Sequence, residues 1–217
     1  MNIIDYLIKY IEDCNRVTQN KSIMLTGGRS AKILYKNFHN VNKIKEIKNI
    51  DFFLTDERHV LPESHESNQR LVEENFISGL HLSRKSHFYT FDTNKDNHES
   101  ICNSYESLLP QSIDLMILSM GEDGHIASLF PHSDALHENR KNILSTFCPK
   151  PPPSRFTITP KVIKNTKEIF ILCFGEEKRK KFEEARENPD DFYSIPARLV
   201  LNRNWVFDIN EDLNLKK

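Results

Sequence analysis

Residues 114–131, DLMILSMGEDGHIASLFP, constrain the fold more than any other stretch of the chain. Residues 115–118 are a short apolar run with sharp edges, the pattern of a strand buried on both faces. Gly121, Glu122, Asp123, Gly124 and His125 then arrive together, and Ile126, Ala127 and Leu129 resume a helical spacing. A Gly-x-x-Gly pair permits a tight turn in which backbone amides and the Asp123 and His125 side chains crowd one point. Where a strand ends and a helix begins is also where open α/β sheets place their ligands. An ordinary turn has no need of an ionisable pair, so Asp123 and His125 are candidates for chemistry.

The rest of the chain alternates in the same sense. Apolar residues at 3, 4, 7, 8 and 11 with charges between them predict an amphipathic first helix. It lacks the basic start and unbroken apolar core of a secretory leader. Further helices are predicted over 31–38, with Ile33, Leu34 and Phe38 inward, over 68–77 with Ser67 as N-cap, and over 97–109 and 177–186. Strands are predicted over 22–26, 51–55, 87–91, 115–118, 169–174 and 205–207, with strand or extended chain over 144–147 and 156–158. This alternation predicts an α/β chain, a single three-layer Rossmann-like domain over 1–217 with a mostly parallel sheet and helices on both faces. The proline run at 149–153 reads as a rigid loop inside that domain, too short for a linker.

A net charge of −1 over 217 residues argues against the broad basic field of a nucleic-acid binder. The basic clusters are Lys161, Lys164 and Lys167, and residues 178–181; the second is flanked by Glu176, Glu177, Glu183 and Glu184 and reads as a solvated helix face. Cys14, Cys102, Cys148 and Cys173 have no C-x-x-C spacing, and the histidines show no ligand spacing, so no metal is expected. No run approaches the length of a membrane span. These features predict a cytoplasmic protein, monomeric or weakly homo-oligomeric, with reduced cysteines and without nucleic-acid or membrane partners.

Two more groups fall on the rim where the predicted strands end. Gly27 and Gly28 follow a strand and precede a helix, so their amides can cradle a phosphate at the helix N-terminus. With no third glycine in dinucleotide spacing, no nicotinamide cofactor is expected. Asp56, Glu57 and Arg58 close the next strand, and a triplet of that kind is ordinarily a solvated loop or a local ion pair.

The run MGEDGHIASLFP resembles the signature of the 6-phosphogluconolactonases, which share an α/β superfamily with the glucosamine-6-phosphate deaminases. The resemblance extends along nearly the whole chain: LTGGRSAKILY at 25–35, DFFLTDERH at 51–59, the pair Ser67–Asn68, PSRFTIT at 153–159, FGEEK at 174–178, IPARLV at 195–200, and 205–208. It implies that the ligand is a small sugar-phosphate lactone, hydrolysed without a cofactor. It also implies that Asp56 and Arg58 face that ligand, with Arg58 on a hydroxyl or the developing oxyanion. Gly27, Gly28, Ser30, Arg155 and Lys178 would hold the phosphate.

His125 is then the natural general base. Asp123 or Asp56 would orient its imidazole or hold sugar hydroxyls, and the sequence does not decide between them. Amides around Gly121 and Gly124 are candidate oxyanion donors. The chain departs from the family's Gly-Gly-x-Thr-Pro at Arg29, Ser30 and Ala31. Deaminase relatives continue Asp-Gly-His-Ile-Ala with Phe-Asn-Glu-Pro, whose glutamate assists sugar-ring opening. Here Ser128, Leu129, Phe130 and Pro131 follow instead, which favours hydrolysis over the runner-up deamination. Asp56, Arg58, Asp123 and His125 argue against a non-catalytic sugar-phosphate sensor, which would need the cations but no acid–base pair.

Overall fold

The computed structural model describes residues 1–41, 44 and 46–215. In chain order its elements begin with α1 (Ile3–Arg16), β1 (Lys21–Leu25), α2 (Arg29–Val41), β2 (Glu46–Ile47), β3 (Ile50–Leu54), β4 (Asp56–Arg58), α3 (Asn68–Asn75) and β5 (His81–Leu82). They continue with α4 (His98–Glu106), β6 (Leu115–Ser119), β7 (Ile143–Phe147), β8 (Ser154–Ile158), α5 (Pro160–Lys164), β9 (Glu168–Leu172), α6 (Glu176–Glu187) and β10 (Asn204–Val206). Short 3₁₀ turns follow α3 and precede β7 and β10.

The central sheet has five strands in the order β10-β9-β6-β1-β3, all paired in parallel. Parallel neighbours need crossovers, and the helices supply them. The buried stretches Ser22–Leu25 and Leu115–Leu118 explain why these strands read as unbroken apolar runs. In α1 the buried face is Ile3, Ile4, Leu7, Ile11 and Cys14, and the Asn2 side chain caps the helix by accepting from the Ile4 and Asp5 amides. This is the mostly parallel α/β sheet that the alternation predicts.

Four expectations need correction. Ile33 is not inward: the buried stripe of α2 runs through Ser30, Ala31, Leu34, Tyr35 and Phe38, leaving Ile33 45% exposed at its flank. Residues 87–91 form no strand beyond a single bridge, in which Phe52 donates to the His87 carbonyl and accepts from the Tyr89 amide. Residues 126–129 form no helix. Ala127 has φ +49°, Ile126 bridges Met120 and Leu129, and the Ser128 amide leaves for Thr157 Oγ1, so the apolar spacing there serves a buried turn.

The fourth concerns the triplet at 56–58, which does not end the second central strand but founds another sheet. Thr55 donates its amide to the Leu25 carbonyl of the central sheet, and its own carbonyl accepts from Ile158 in β8. The chain thereby crosses into an antiparallel sheet of order β4-β8-β7, in which Asp56 pairs with Thr157 and Arg58 with Arg155.

Glu57 locks that crossing. Its side chain, 1% exposed, accepts from the amides of Arg58, Asn68 and Gln69 at 2.6–2.7 Å and from Ser67 Oγ at 3.0 Å. The carboxylate therefore sits on the N-terminus of α3, where Ser67 also caps the Arg70 amide. Burial pushes the Glu57 carboxyl upward, and the four donors pull against that. Glu57→Ala leaves three amides without their acceptor. It should lower the unfolding free energy by about 2–4 kcal/mol, read from urea midpoints, with Glu57→Gln losing less.

Candidate active site

Both glycine turns, β4, the proline loop and the start of α6 converge on one cleft of about 280 Å³. Gly27, Gly28, Asp56, Arg58, Gly121, His125, Arg155 and Lys178 all line it, as the sequence reading expects. Ser30 and Asp123 do not line the cleft themselves but bond to residues that do. Gly124 stands farther back.

In the first turn, Gly28 takes φ +90° just before α2 begins. A Cβ on Gly27 would fall 1.9 Å from Asn68 Oδ1, so the strand end and the start of α3 can meet only through glycine. The second turn follows β6. A Cβ on Gly121 would lie 2.2 Å from the His125 ring and 2.7 Å from Asp123 Oδ1; the imidazole rests directly against this backbone. The Gly121 amide donates to the His125 carbonyl at 2.8 Å and the Gly124 amide to the Gly121 carbonyl at 3.0 Å. Of the amides expected as oxyanion donors around this turn, those of Gly121 and Gly124 themselves are thus spent inside it.

Asp123, not Asp56, orients the histidine. His125 Nδ1 lies 2.5 Å from Asp123 Oδ1, and the imidazole stacks on Phe130 with centroids 4.3 Å apart. An ionised carboxylate there accepts a hydrogen bond from Nδ1–H, the tautomer in which Nε2 carries the lone pair. Burial alone would raise the Asp123 pKa, but the His125 hydrogen bond and the Lys150 ammonium, 2.8 Å from Oδ2, hold it well below the usual carboxylate range. Asp56, 6% exposed, is engaged elsewhere: it accepts from Ser128 Oγ at 2.7 Å, Thr55 Oγ1 at 3.0 Å and Asn68 Nδ2 at 3.2 Å.

The cations are held mostly by neutral groups. Lys178 Nζ donates to Ser30 Oγ at 3.0 Å and Ser119 Oγ at 3.3 Å, which is how the buried Ser30 enters the site. Burial pushes the Lys178 ammonium below its usual pKa, and Lys178 has no carboxylate within ion-pair distance among the described residues. Arg58 donates through Nη1 to the Glu66 carbonyl, while its buried Nε has no partner among the described residues. Arg155 is less free than a phosphate fork requires. Its Nε donates to the Pro152 carbonyl at 2.7 Å, and one terminal nitrogen lies 3.4 Å from the carbonyls of Lys150 and Pro151.

Arg29 pairs with Glu122 at 2.5 Å and so links the two glycine turns across the mouth. Arg29, Arg58, Lys150, Arg155 and Lys178 line the cleft against the carboxylates Asp56 and Glu122, a local excess of positive charge in a chain of net charge −1. Sequence reasoning missed Lys150 and Phe130 as site residues. A lysine inside a proline run and a phenylalanine that follows a single leucine carry no spacing that marks them. Among the described residues no group of three or more His, Cys, Asp or Glu could hold a metal ion.

Residues 1–207 match the model of the glucosamine-6-phosphate isomerases/6-phosphogluconolactonase family. The chain belongs to this family. A probable 6-phosphogluconolactonase 2 of Oryza sativa subsp. indica is 30% identical, over 89% of this chain and 78% of the relative. The 6-phosphogluconolactonase of Borreliella burgdorferi is 31% identical over 82% and 78%. Among solved structures, the 6-phosphogluconolactonase of Thermotoga maritima superposes with a TM-score of 0.74 at 27% identity, covering 91% of this chain and 89% of that one. Both glycine turns, Asp56 and Arg58 meet here at one cleft that His125 also lines.

The Gly121 contact gives a direct test. Gly121→Ala forces the imidazole or Asp123 aside, and displacements of about 1 Å at a reacting group cost on the order of 100-fold. Activity should fall at least that far, while circular dichroism and the thermal midpoint stay close to the parent. Near-parental turnover would show that His125 tolerates displacement and is not the reacting group.

Proposed function

We propose that the chain hydrolyses 6-phospho-D-glucono-1,5-lactone to 6-phospho-D-gluconate, the lactone-opening step of the oxidative pentose phosphate pathway. The observation that carries this reading is the Asp123–His125 pair, an imidazole held against a carboxylate in a cleft dominated by cations.

His125 Nε2 takes a proton from water as its oxygen bonds to C1. Negative charge then builds on the carbonyl oxygen. With the Gly121 and Gly124 amides engaged, the Arg58 guanidinium, which lines the cleft, is our candidate to hold that charge. As the bond from C1 to the ring oxygen breaks, His125 returns its proton to that oxygen. Lys178, the remaining donor of Arg155 and the amides that open α2 suit the distant phosphate, whose binding aligns C1 with the water.

The same cleft is poorly furnished for deamination. The carboxylates lining it are Asp56, occupied by three donors, and Glu122, paired with Arg29. Ser128 turns to Asp56 and Phe130 stacks on His125, so residues 128–131 bring no acid for sugar-ring opening. The four free, buried cysteines suit a reducing compartment and support a cytoplasmic site of action.

With freshly made phosphorylated lactone, proton release should exceed the spontaneous rate, and glucosamine 6-phosphate should yield no ammonia. His125→Asn should lower the catalysed rate by about 10²–10⁴. The parent rate should fall on the acid side as the imidazole protonates. A folded His125→Asn variant with parental turnover would remove this mechanism.

Lys178→Ala should lower kcat/KM for the phosphorylated lactone by roughly 10- to 10³-fold and affect unphosphorylated gluconolactone far less. Equal losses on both substrates would take Lys178 out of phosphate binding.

A further inference from the structure

Lys150 lies in the proline run, before the motif that carries Arg155. Its ammonium is 2.8 Å from Asp123 Oδ2, while Asp123 Oδ1 lies within hydrogen-bond distance of His125 Nδ1. The same ammonium stands 5.8 Å from the centroid of Phe130, the ring on which His125 stacks. Lys150 therefore touches both supports of the imidazole, its carboxylate and its aromatic face.

The loop that presents Lys150 is itself tied down. Arg155, 5% exposed, donates to the Pro152 carbonyl and approaches those of Lys150 and Pro151; Cys148 Sγ donates to the Lys150 carbonyl at 2.9 Å. A backbone held at three successive carbonyls fixes where the lysine stem begins, so less side-chain freedom is lost when its ammonium meets Asp123. The ion pair is only partly shielded, with Lys150 48% and Asp123 30% exposed at the side chain. Its importance lies in what it does to the histidine, not in stability.

We propose that Lys150 is a positioning residue for lactone hydrolysis: it fixes the Asp123 carboxylate in the orientation that holds His125 and keeps the imidazole from protonating too early as pH falls. The proposal rests on His125 as the general base. A lone carboxylate beside an imidazole favours the imidazolium, and an ammonium on the far oxygen of that carboxylate weakens the bias. The other charges facing this cleft are the paired Arg29 and Glu122 at the glycine turns, Asp56 and Arg58 on β4, Arg155 on β8 and Lys178 on α6. A substitution at 150 alters none of them directly.

The test compares Lys150→Met, Lys150→Arg and the parent in full pH profiles with phosphorylated and unphosphorylated lactone, after subtraction of the spontaneous reaction. In Lys150→Met the acid limb should move to higher pH by about 0.5–1 unit. Turnover near neutral pH should fall by about three- to tenfold. The loss should lie mainly in kcat and appear on both lactones, with the thermal midpoint little changed. Lys150→Arg should restore the limb. An acid limb that stays in place, or a loss confined to KM for the phosphorylated lactone, overturns the proposal and makes Lys150 at most a phosphate contact. His125→Asn, assayed alongside, separates the two readings. Parental turnover in that variant defeats the base assignment and this proposal with it. An inactive His125→Asn beside an unmoved limb in Lys150→Met defeats the role of Lys150 alone.

Discussion

One residue hydrogen-bonds both sheets, and the cleft depends on it. Thr55 completes the central sheet through its amide and opens the antiparallel sheet through its carbonyl. Without that crossing, Asp56 and Arg58 would lie in an exposed loop past the end of β3. With it they stand on β4, across from Arg155 and Thr157. The next residue, Glu57, is buried beneath α3 and anchors that helix, and the first residue of α3, Asn68, reaches back to Asp56 and packs on Gly27. A chain of direct contacts thus runs from the sheet crossing to the first glycine turn. Glu57, the member of the triplet that does not line the cleft, binds the Arg58 amide and anchors the helix whose Asn68 reaches Asp56.

Much of this was legible because parallel strands buried on both faces leave unbroken apolar runs, and β1, β3, β6 and β9 all fall within about a residue of where those runs begin. The second sheet was harder to read. β4 is three polar residues, and β7 alternates buried and exposed positions weakly, so its strands are defined by pairing rather than by composition. The stretch after Gly124 misled for a related reason: Ile126 and Leu129 are fully buried, and burial alone gives an apolar spacing that a helix would also give.

The site was legible residue by residue and not in its wiring. Asp123 and His125 are two apart in sequence, so a turn bringing them together was predictable. That Asp56 would be absorbed by Ser128, Thr55 and Asn68 depends on partners 72 residues away in one case and 12 in another. Arg155 shows the same limit. The motif marks it as a cation near the ligand, but only the cis-containing proline loop folding over it reveals that most of its donors face protein carbonyls.

How each cation is held divides the cleft into two working halves. Lys178 and Arg58 are held by hydroxyls and a carbonyl, which solvate a charge without cancelling it. A part-buried cation kept this way carries a desolvation cost that an incoming anion relieves, so its attraction is kept for the ligand. Lys150 and Arg29 instead face carboxylates that neutralise them within the protein. The first pair suits capture of a phosphate or of developing negative charge; the second ties the turns and the proline loop into one frame around His125. A pure anion-binding protein would need only the first arrangement. The presence of the second, set around an imidazole held against the Asp123 carboxylate, is what supports the proposal that a proton moves in this cleft.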